Sequence, residues 1–209
     1  IPANFAVPTG FATGPDGKDY RDGTPTYLET DKAKALEYWK TGLGELGVDS
    51  LKLTLIVEDA EPSPKIGEYL QSEMQTTLPG LTIELSVMPK KSRLQFIREF
   101  NYELGLTRWG PDYADPMTYF NIWSTGGGHD GMSWEDSKTN GYDELCKRCT
   151  DGDLAGKPVE RWQAMISLEK MLFDNAVICP VYLKADALLV KSKVTGIEFH
   201  AVGTPHVYK

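Results

Sequence analysis

The alternation of strand-like and helix-like segments between residues 51 and 109 constrains the fold most strongly. LKLTLIVE (51–58), LTIELSVM (81–88) and YELGLTRW (102–109) have the short apolar or alternating pattern of buried strands. Between them, SPKIGEYLQSEMQTTLPG, with Pro64 near its first turn, and KKSRLQFIREF have helical spacing. Strands that alternate with helices form βαβ units, in which neighbouring strands are parallel. The sequence therefore predicts an α/β fold with a mainly parallel sheet flanked by helices.

The segments on either side add helices and two candidate strands. A helix that Thr30 or Asp31 caps and Gly47 ends precedes the first strand, and residues 1–27 are predicted to be an extended, turn-rich lead-in. The remaining elements predicted are helices at 141–150 and 158–175 and closing strands at ICPVYL and ALLV. Cys146 and Cys149 lie three residues apart on one helical stripe, which favours small buried residues over redox or metal chemistry; a disulfide between them stays open.

Composition excludes several classes of function. The 209 residues are 41% apolar and carry a formal net charge of −8, which disfavours nucleic acid and anionic membrane surfaces as partners. No apolar run approaches the ~18 residues that span a bilayer. The chain begins at Ile1 without a signal sequence, so we expect a processed product or an excised piece of a longer protein.

Motifs for catalysis or metal binding are not recognisable in the sequence. It contains no GxSxG, HExxH, P-loop or strand-linked GxGxxG pattern, and no cofactor is predicted. His129, His200 and His206 share no metal-ligand spacing, so the sequence predicts no metal site. A metal binder with His129 or His206 near the site is kept as an alternative.

The segment RWGPDYADP (108–116) carries the most informative side chains. Asp115 precedes Pro116 and is predicted to cap a helix that begins there. Asp112 has no such structural role, and it follows a parallel strand at the end where open α/β sheets bind ligands. One fixed acid among aromatic residues suits the binding of a cation better than catalysis. A small α/β hydrolase that uses Asp112 and Asp115 remains an alternative.

The order of these segments resembles a known family of binding proteins. The matching stretches are DKAKALEYWKTGLGELG, LTLIVE, LTIELSVM, RWGPDYADPMTYF, GYDELCKRC and MLFDNAVICPVYLKADALLVKSKVTGIEFHAVG. Together they are similar to the oligopeptide-binding components of bacterial ABC transporters, the extracellular solute-binding proteins of family 5. The most specific piece is the Trp that shortly precedes an Asp, followed by Tyr and an acid-Pro pair.

The resemblance implies a particular domain organisation. Family members have two lobes that close on a ligand, a type II periplasmic-binding-protein-like fold, and this chain matches the C-terminal lobe. Residues 1–27 would then be the lead-in near the hinge, 28–200 the ligand-binding lobe, and 201–209 the return segment toward a missing first lobe. The implied partners are that N-terminal lobe, an oligopeptide ligand and a membrane permease. The implied location is extracytoplasmic, either periplasmic or as a cell-surface lipoprotein.

The resemblance also implies roles for individual residues. Asp112 would bind the N-terminal ammonium of an extended peptide, and Trp109 would form the wall of a side-chain pocket. The backbone of Arg108 and Gly110 would be the strand edge that the peptide joins, and Tyr113 is a weaker ligand contact. The Arg108 side chain would neutralise Asp112, point to solvent or meet a ligand carboxylate. Family members also bind nickel chelates, sugars and haem, so these ligands remain alternatives to peptides. The resemblance implies binding without enzymatic activity.

Overall fold

The chain forms two compact units. The computed structural model describes residues 1–126, 134–184, 189–200, 202 and 206–208, with 135, 199 and 206–208 described by their backbone only. The first unit, Thr30–Arg108, is called the sheet unit. The second, called the terminal unit, consists of Ile1–Glu29 and Trp109–Lys209. The predicted division into lead-in, ligand-binding lobe and return segment concerns a longer, two-lobed protein and stays a prediction.

The sheet unit has the predicted alternation of helices and strands. Its elements in chain order are α1 (Lys32–Leu46), β1 (Leu51–Glu58), α2 (Ser63–Thr77), β2 (Leu81–Met88), α3 (Lys90–Arg98) and β3 (Leu104–Gly105). The three strands form a parallel sheet in the order β2-β1-β3. The predicted fold class and the predicted strands 51–58 and 81–88 are therefore confirmed.

The third strand is much shorter than the sequence pattern predicts. Only Leu104 and Gly105 pair with β1, whereas a strand over 102–109 was expected. The carboxylate of Glu103 accepts a hydrogen bond from the backbone N of Thr54 at 2.6 Å. A side chain therefore accepts the bond that the backbone of a paired strand would otherwise accept. A last backbone bond joins Leu106 N to Ile56 O at 3.0 Å. Pairing therefore ends before residue 108.

The first helix begins and ends where the sequence predicts. The Asp31 carboxylate accepts a hydrogen bond from Lys34 N at 2.9 Å and caps the N-terminus of α1. Gly47 ends the helix with φ of 69°, a left-handed conformation that favours glycine. Both termini are thus specified by one local residue each.

Replacing Gly80 with alanine is expected to lower the free energy of unfolding by about 1–3 kcal/mol. Gly80 leads into β2 with φ of 83°, and an added Cβ would lie 2.6 Å from the backbone O of Asp49. Gly42→Ala is the matched control, because a Cβ at this α1 position would meet nothing within 4 Å. Chemical unfolding of the two variants measures the difference, and equal stability would contradict the steric argument.

The regular elements in the described part of the terminal unit are mainly helices. Its elements are α4 (Tyr142–Thr150), α5 (Pro158–Asp174), β4 (Ile197–Phe199), β5 (His206–Tyr208) and short 3-10 helices at Tyr20–Gly23, Pro116–Tyr119, Asn121–Trp123 and Glu135–Lys138. The predicted helices at 141–150 and 158–175 are confirmed within one residue at each end. β4 and β5 pair as an antiparallel ladder that the sequence did not indicate.

The predicted strand ICPVYL is wrong. Within it, Tyr182 forms only an isolated antiparallel bridge, with Pro2. Backbone bonds from Ala3 N to Val181 O at 3.2 Å and from Leu183 N to Ile1 O at 2.7 Å extend this contact. The segment is therefore extended but pairs with the irregular N-terminus, so no regular ladder forms. Half of the predicted strand ALLV lies outside the described residues, and the other half is not a strand.

The core of the terminal unit packs α4 and α5 against the lead-in and the 3-10 helices. Its buried members are Val7, Tyr20, Met117, Phe120, Tyr142, Cys146, Cys149, Leu154, Ala164, Met165, Leu168 and Leu172. Cys146 and Cys149 are buried and not joined by a disulfide, which agrees with the predicted packing role. Burial raises the pKa of the Cys146 thiol to about 12. The buried thiols therefore behave as core residues.

A buried ion pair ties the lead-in to α5. Glu169 is fully buried in the apolar stripe of α5, and its Oε1 accepts a hydrogen bond from Arg21 Nη1 at 2.6 Å. The same oxygen accepts from the backbone N of Ala6 at 2.9 Å. The sequence predicted the helix but did not indicate that this acid is buried in it. The lead-in is thus held by a charge in the core as well as by apolar contacts.

Candidate functional site

The backbone at Arg108 and Gly110 leaves its polar groups open among the described residues. Among the described residues, no main-chain hydrogen bond involves the N–H or C=O of Arg108 or of Gly110. Gly110 is exposed, and even an added Cβ there would meet no atom within 4 Å. Backbone with unpaired donors and acceptors at the end of a strand is able to pair with another extended chain.

The side chain of Arg108 pairs with an acid of the sheet unit. Its Nη2 lies 3.3 Å from Oε1 of Glu58, the last residue of β1, and its side chain is 42% exposed. Glu58 is buried, and its other oxygen accepts a hydrogen bond from Arg93 at 3.4 Å. Of the three roles considered for Arg108, none included this partner. The Arg108 guanidinium is therefore anchored to its own unit.

Trp109 and Tyr113 are the aromatic residues of the segment. Trp109 is half-buried, and its indole Nε1 has no hydrogen-bond acceptor among the described residues. Tyr113 is 43% exposed, and its hydroxyl accepts a hydrogen bond from Asn121 Nδ2 at 3.1 Å. Partial burial raises the pKa of Tyr113 above its ordinary value, so the phenol stays neutral near pH 7. Both rings are therefore uncharged surfaces.

Asp112 is an exposed acid whose carboxylate has no partner in the described part of the chain. Neither a hydrogen bond nor an ion pair reaches its two oxygens from those residues. Its backbone N donates to the hydroxyl of Thr118 at 3.1 Å, which fixes the main chain beneath the side chain. The carboxylate is thus held on a fixed backbone and remains available to a cation.

Asp115, in contrast, is occupied by structural contacts. Its Oδ1 accepts a hydrogen bond from Met117 N at 2.9 Å and caps the 3-10 helix Pro116–Tyr119. Arg161 donates to the same carboxylate twice, from Nη1 at 2.7 Å and from Nη2 at 2.9 Å. The predicted capping role is confirmed. A carboxylate held by both a cap and a paired guanidinium is poorly suited to proton transfer, which counts against the hydrolase alternative.

The metal-binding alternative rests on His129 and His206 and is not tested by the described residues. Within them, no three His, Cys, Asp or Glu side chains come together in a group that could hold a metal ion. His129 lies outside the described residues, and the side chain of His206 is not described. Of the two acids in the segment, Asp115 is held by Arg161 and by its capping bond, whereas Asp112 is exposed. Asp112 is therefore the acid that is more open to a ligand.

The sequence did not indicate several residues that contact the segment. Arg161 is 46 positions from Asp115, and Glu58 is 50 positions from Arg108. No local pattern links residues so far apart, although an arginine near the start of α5 and an acid at the end of β1 were visible. The buried hydroxyl of Thr118 gave no signal, because threonine is common in turns.

Comparison with known proteins identifies the class of the chain. The model for bacterial extracellular solute-binding proteins, family 5 middle region, matches residues 1–131. The structure of an oligopeptide ABC transporter substrate-binding domain from Bacillus anthracis aligns with a TM-score of 0.84 and 32% identity, over 100% of this chain and 40% of that chain. The fold is thus one lobe of a two-lobed periplasmic-binding-protein-like architecture, as predicted. The chain belongs to family 5 of the bacterial extracellular solute-binding proteins.

Two further relatives carry names that concern peptides. The dipeptide-binding protein of Lactococcus lactis is 32% identical over 210 residues, which is 99% of this chain and 37% of that protein. Listeria monocytogenes OppA bound to peptide aligns with a TM-score of 0.83 and 33% identity, over 100% of this chain and 39% of that chain. This chain therefore spans well under half the length of each of these three proteins.

The described helices include none that is both long and apolar enough to cross a membrane.

Proposed function

We propose that this chain is the peptide-binding lobe of the extracytoplasmic solute-binding component of an oligopeptide ABC transporter. The observation that carries the proposal is the exposed carboxylate of Asp112, which has no partner among the described residues and sits on a fixed backbone. Beside it in the chain, the backbone at Arg108 and Gly110 has unpaired hydrogen-bonding groups. An acid next to an open backbone edge fits the N-terminus of an extended peptide.

In the proposed mode of binding, the contacts that hold the peptide differ from the contacts that select its side chains. Main-chain pairing with residues 108–110 does not depend on ligand side chains, so many peptides are accepted. Asp112 attracts the N-terminal ammonium and fixes the register of the peptide. Trp109 lines a side-chain pocket, and Tyr113 makes a weaker contact. Arg108 pairs with Glu58 within the sheet unit, and the carboxylate of Asp112 has no partner among the described residues.

The proposed function needs partners beyond this chain. A first, N-terminal lobe would close over the peptide by hinge motion and exclude water from the Asp112 site. The loaded protein would deliver its peptide to the membrane permease of an ABC transporter, from the periplasm or as a cell-surface lipoprotein. The role is one of binding and release without covalent chemistry, so the protein is not an enzyme in this proposal.

Calorimetric titration of the full-length protein tests the proposal. The dissociation constant of an extended peptide with a free N-terminus is expected to be lower than that of its N-acetylated form by a factor of about 30 or more. Acetylation removes one member of a desolvated charge pair. A nickel chelate, a sugar and haem serve as competing ligands of other chemistry. Binding of one of these without binding of peptides would contradict the proposal. Equal affinity for the free and acetylated peptides would remove Asp112 from the anchoring role.

A further inference from the structure

A continuous set of hydrogen bonds connects α5 to the backbone of Asp112. Arg161 holds Asp115 with two bonds of 2.7 and 2.9 Å. Asp115 in turn caps the 3-10 helix Pro116–Tyr119 through Met117 N at 2.9 Å. Thr118, in the same short helix, accepts a hydrogen bond from Asp112 N at 3.1 Å. All of these residues belong to the terminal unit.

The supporting residues are buried or partly buried, while the end of the set is exposed; the side chains of Arg161 and Asp115 are 20% and 32% exposed. Pro116, Met117 and Thr118 are all buried, and Thr118 is only 2% exposed. Arg161 also donates from Nε to the backbone O of Cys149 at 2.7 Å, so it is fixed by the last turn of α4 as well. Multiple partners restrict the side chains of Arg161 and Asp115, and burial restricts that of Thr118. The exposed Asp112 is therefore the terminal member of a rigid support.

We propose that Thr118 and Arg161 are positioning residues that hold Asp112 in the orientation that binds a peptide ammonium. This inference rests on the proposed function. Neither residue contacts the ligand in this arrangement; Thr118 acts on the Asp112 backbone, and Arg161 acts through Asp115. A preorganised carboxylate loses less conformational freedom when it binds a cation, so its preference for a charged N-terminus is larger.

Thr118→Val in the full-length protein tests the inference, because valine removes the acceptor at nearly constant volume. The readout is the ratio of the dissociation constants for an N-acetylated peptide and the same peptide with a free N-terminus. This ratio is expected to fall about fivefold in Thr118→Val, the effect of one ordinary hydrogen bond. Thr118→Ser keeps the hydroxyl and is expected to retain the ratio. Amide hydrogen exchange at Asp112 should accelerate only in the valine variant.

A second variant keeps the test decisive if Thr118→Val fails to fold. Arg161→Lys retains the positive charge but loses the two parallel bonds to Asp115, and it is expected to lower the same ratio. A merely structural role would weaken both peptides equally and leave the ratio unchanged, which would overturn the inference. If the unmodified protein shows no preference for the free N-terminus, the proposed function itself fails. The unmodified protein could instead prefer the free N-terminus while neither variant reduces that preference. This result would contradict only the positioning role.

Discussion

Replacement of Asp112 by asparagine in the full-length protein is expected to weaken binding of peptides with a free N-terminus by about 30-fold or more. Asparagine has nearly the same shape but no charge, so the peptide ammonium would enter the site without its counter-charge. Binding of N-acetylated peptides should change little, since they bring no positive charge. Titration calorimetry with the two forms of one peptide gives both numbers.

The fold itself should tolerate this substitution. The Asp112 side chain is exposed, and none of the described residues bonds to its carboxylate. Asp151→Asn is a matched control, because Asp151 is another exposed aspartate of the terminal unit, and it should bind both peptides normally. An Asp112→Asn protein that loses affinity for both peptide forms to the same extent would show that Asp112 does not recognise the amine.

Glu169→Gln is expected to cost about 3–5 kcal/mol of the free energy of unfolding. Glutamine keeps an oxygen that accepts from Ala6 N, but it leaves the Arg21 guanidinium without the charge that it now contacts at 2.6 Å. The Arg21 side chain is only 11% exposed, so water compensates poorly for that loss. Urea unfolding should show a lower midpoint.

An exposed glutamate in the same helix provides the control for Glu169. Glu160 lies in the first turn of α5 and is exposed, so Glu160→Gln should change the free energy of unfolding by less than about 1 kcal/mol. In a variant that already carries Arg21→Met, the further cost of Glu169→Gln should be smaller, because the pair is already broken. If Glu169→Gln were as mild as Glu160→Gln, the buried pair would contribute nothing measurable to stability.

Elements that depend on local pattern were predictable from the sequence. β1 and β2 occupy the predicted residues because their apolar pattern is determined by burial in the sheet. The capping roles of Asp31 and Asp115 are also local, since each side chain bonds to a backbone N two or three positions later. The family could be identified because the order of such segments is itself specific.

Features that depend on distant partners were not predictable. At the start of β3, the Glu103 side chain takes the bond that a strand would make with Thr54, and the alternating pattern cannot show this. The pairing of Arg108 with Glu58 and of Arg161 with Asp115 joins separate segments of the chain. The ligand-binding roles of residues 108–113 concern a molecule outside the chain, and they stay predictions.

The two acids of RWGPDYADP differ in how freely evolution is able to exchange them. Asp115 cannot change alone, because a new side chain there would release Arg161 and the cap of the following helix. Asp112 contributes only its backbone N–H to the described fold. If Asp112 binds the peptide amine as proposed, a substitution there would change ligand preference without a compensating substitution elsewhere in the described fold.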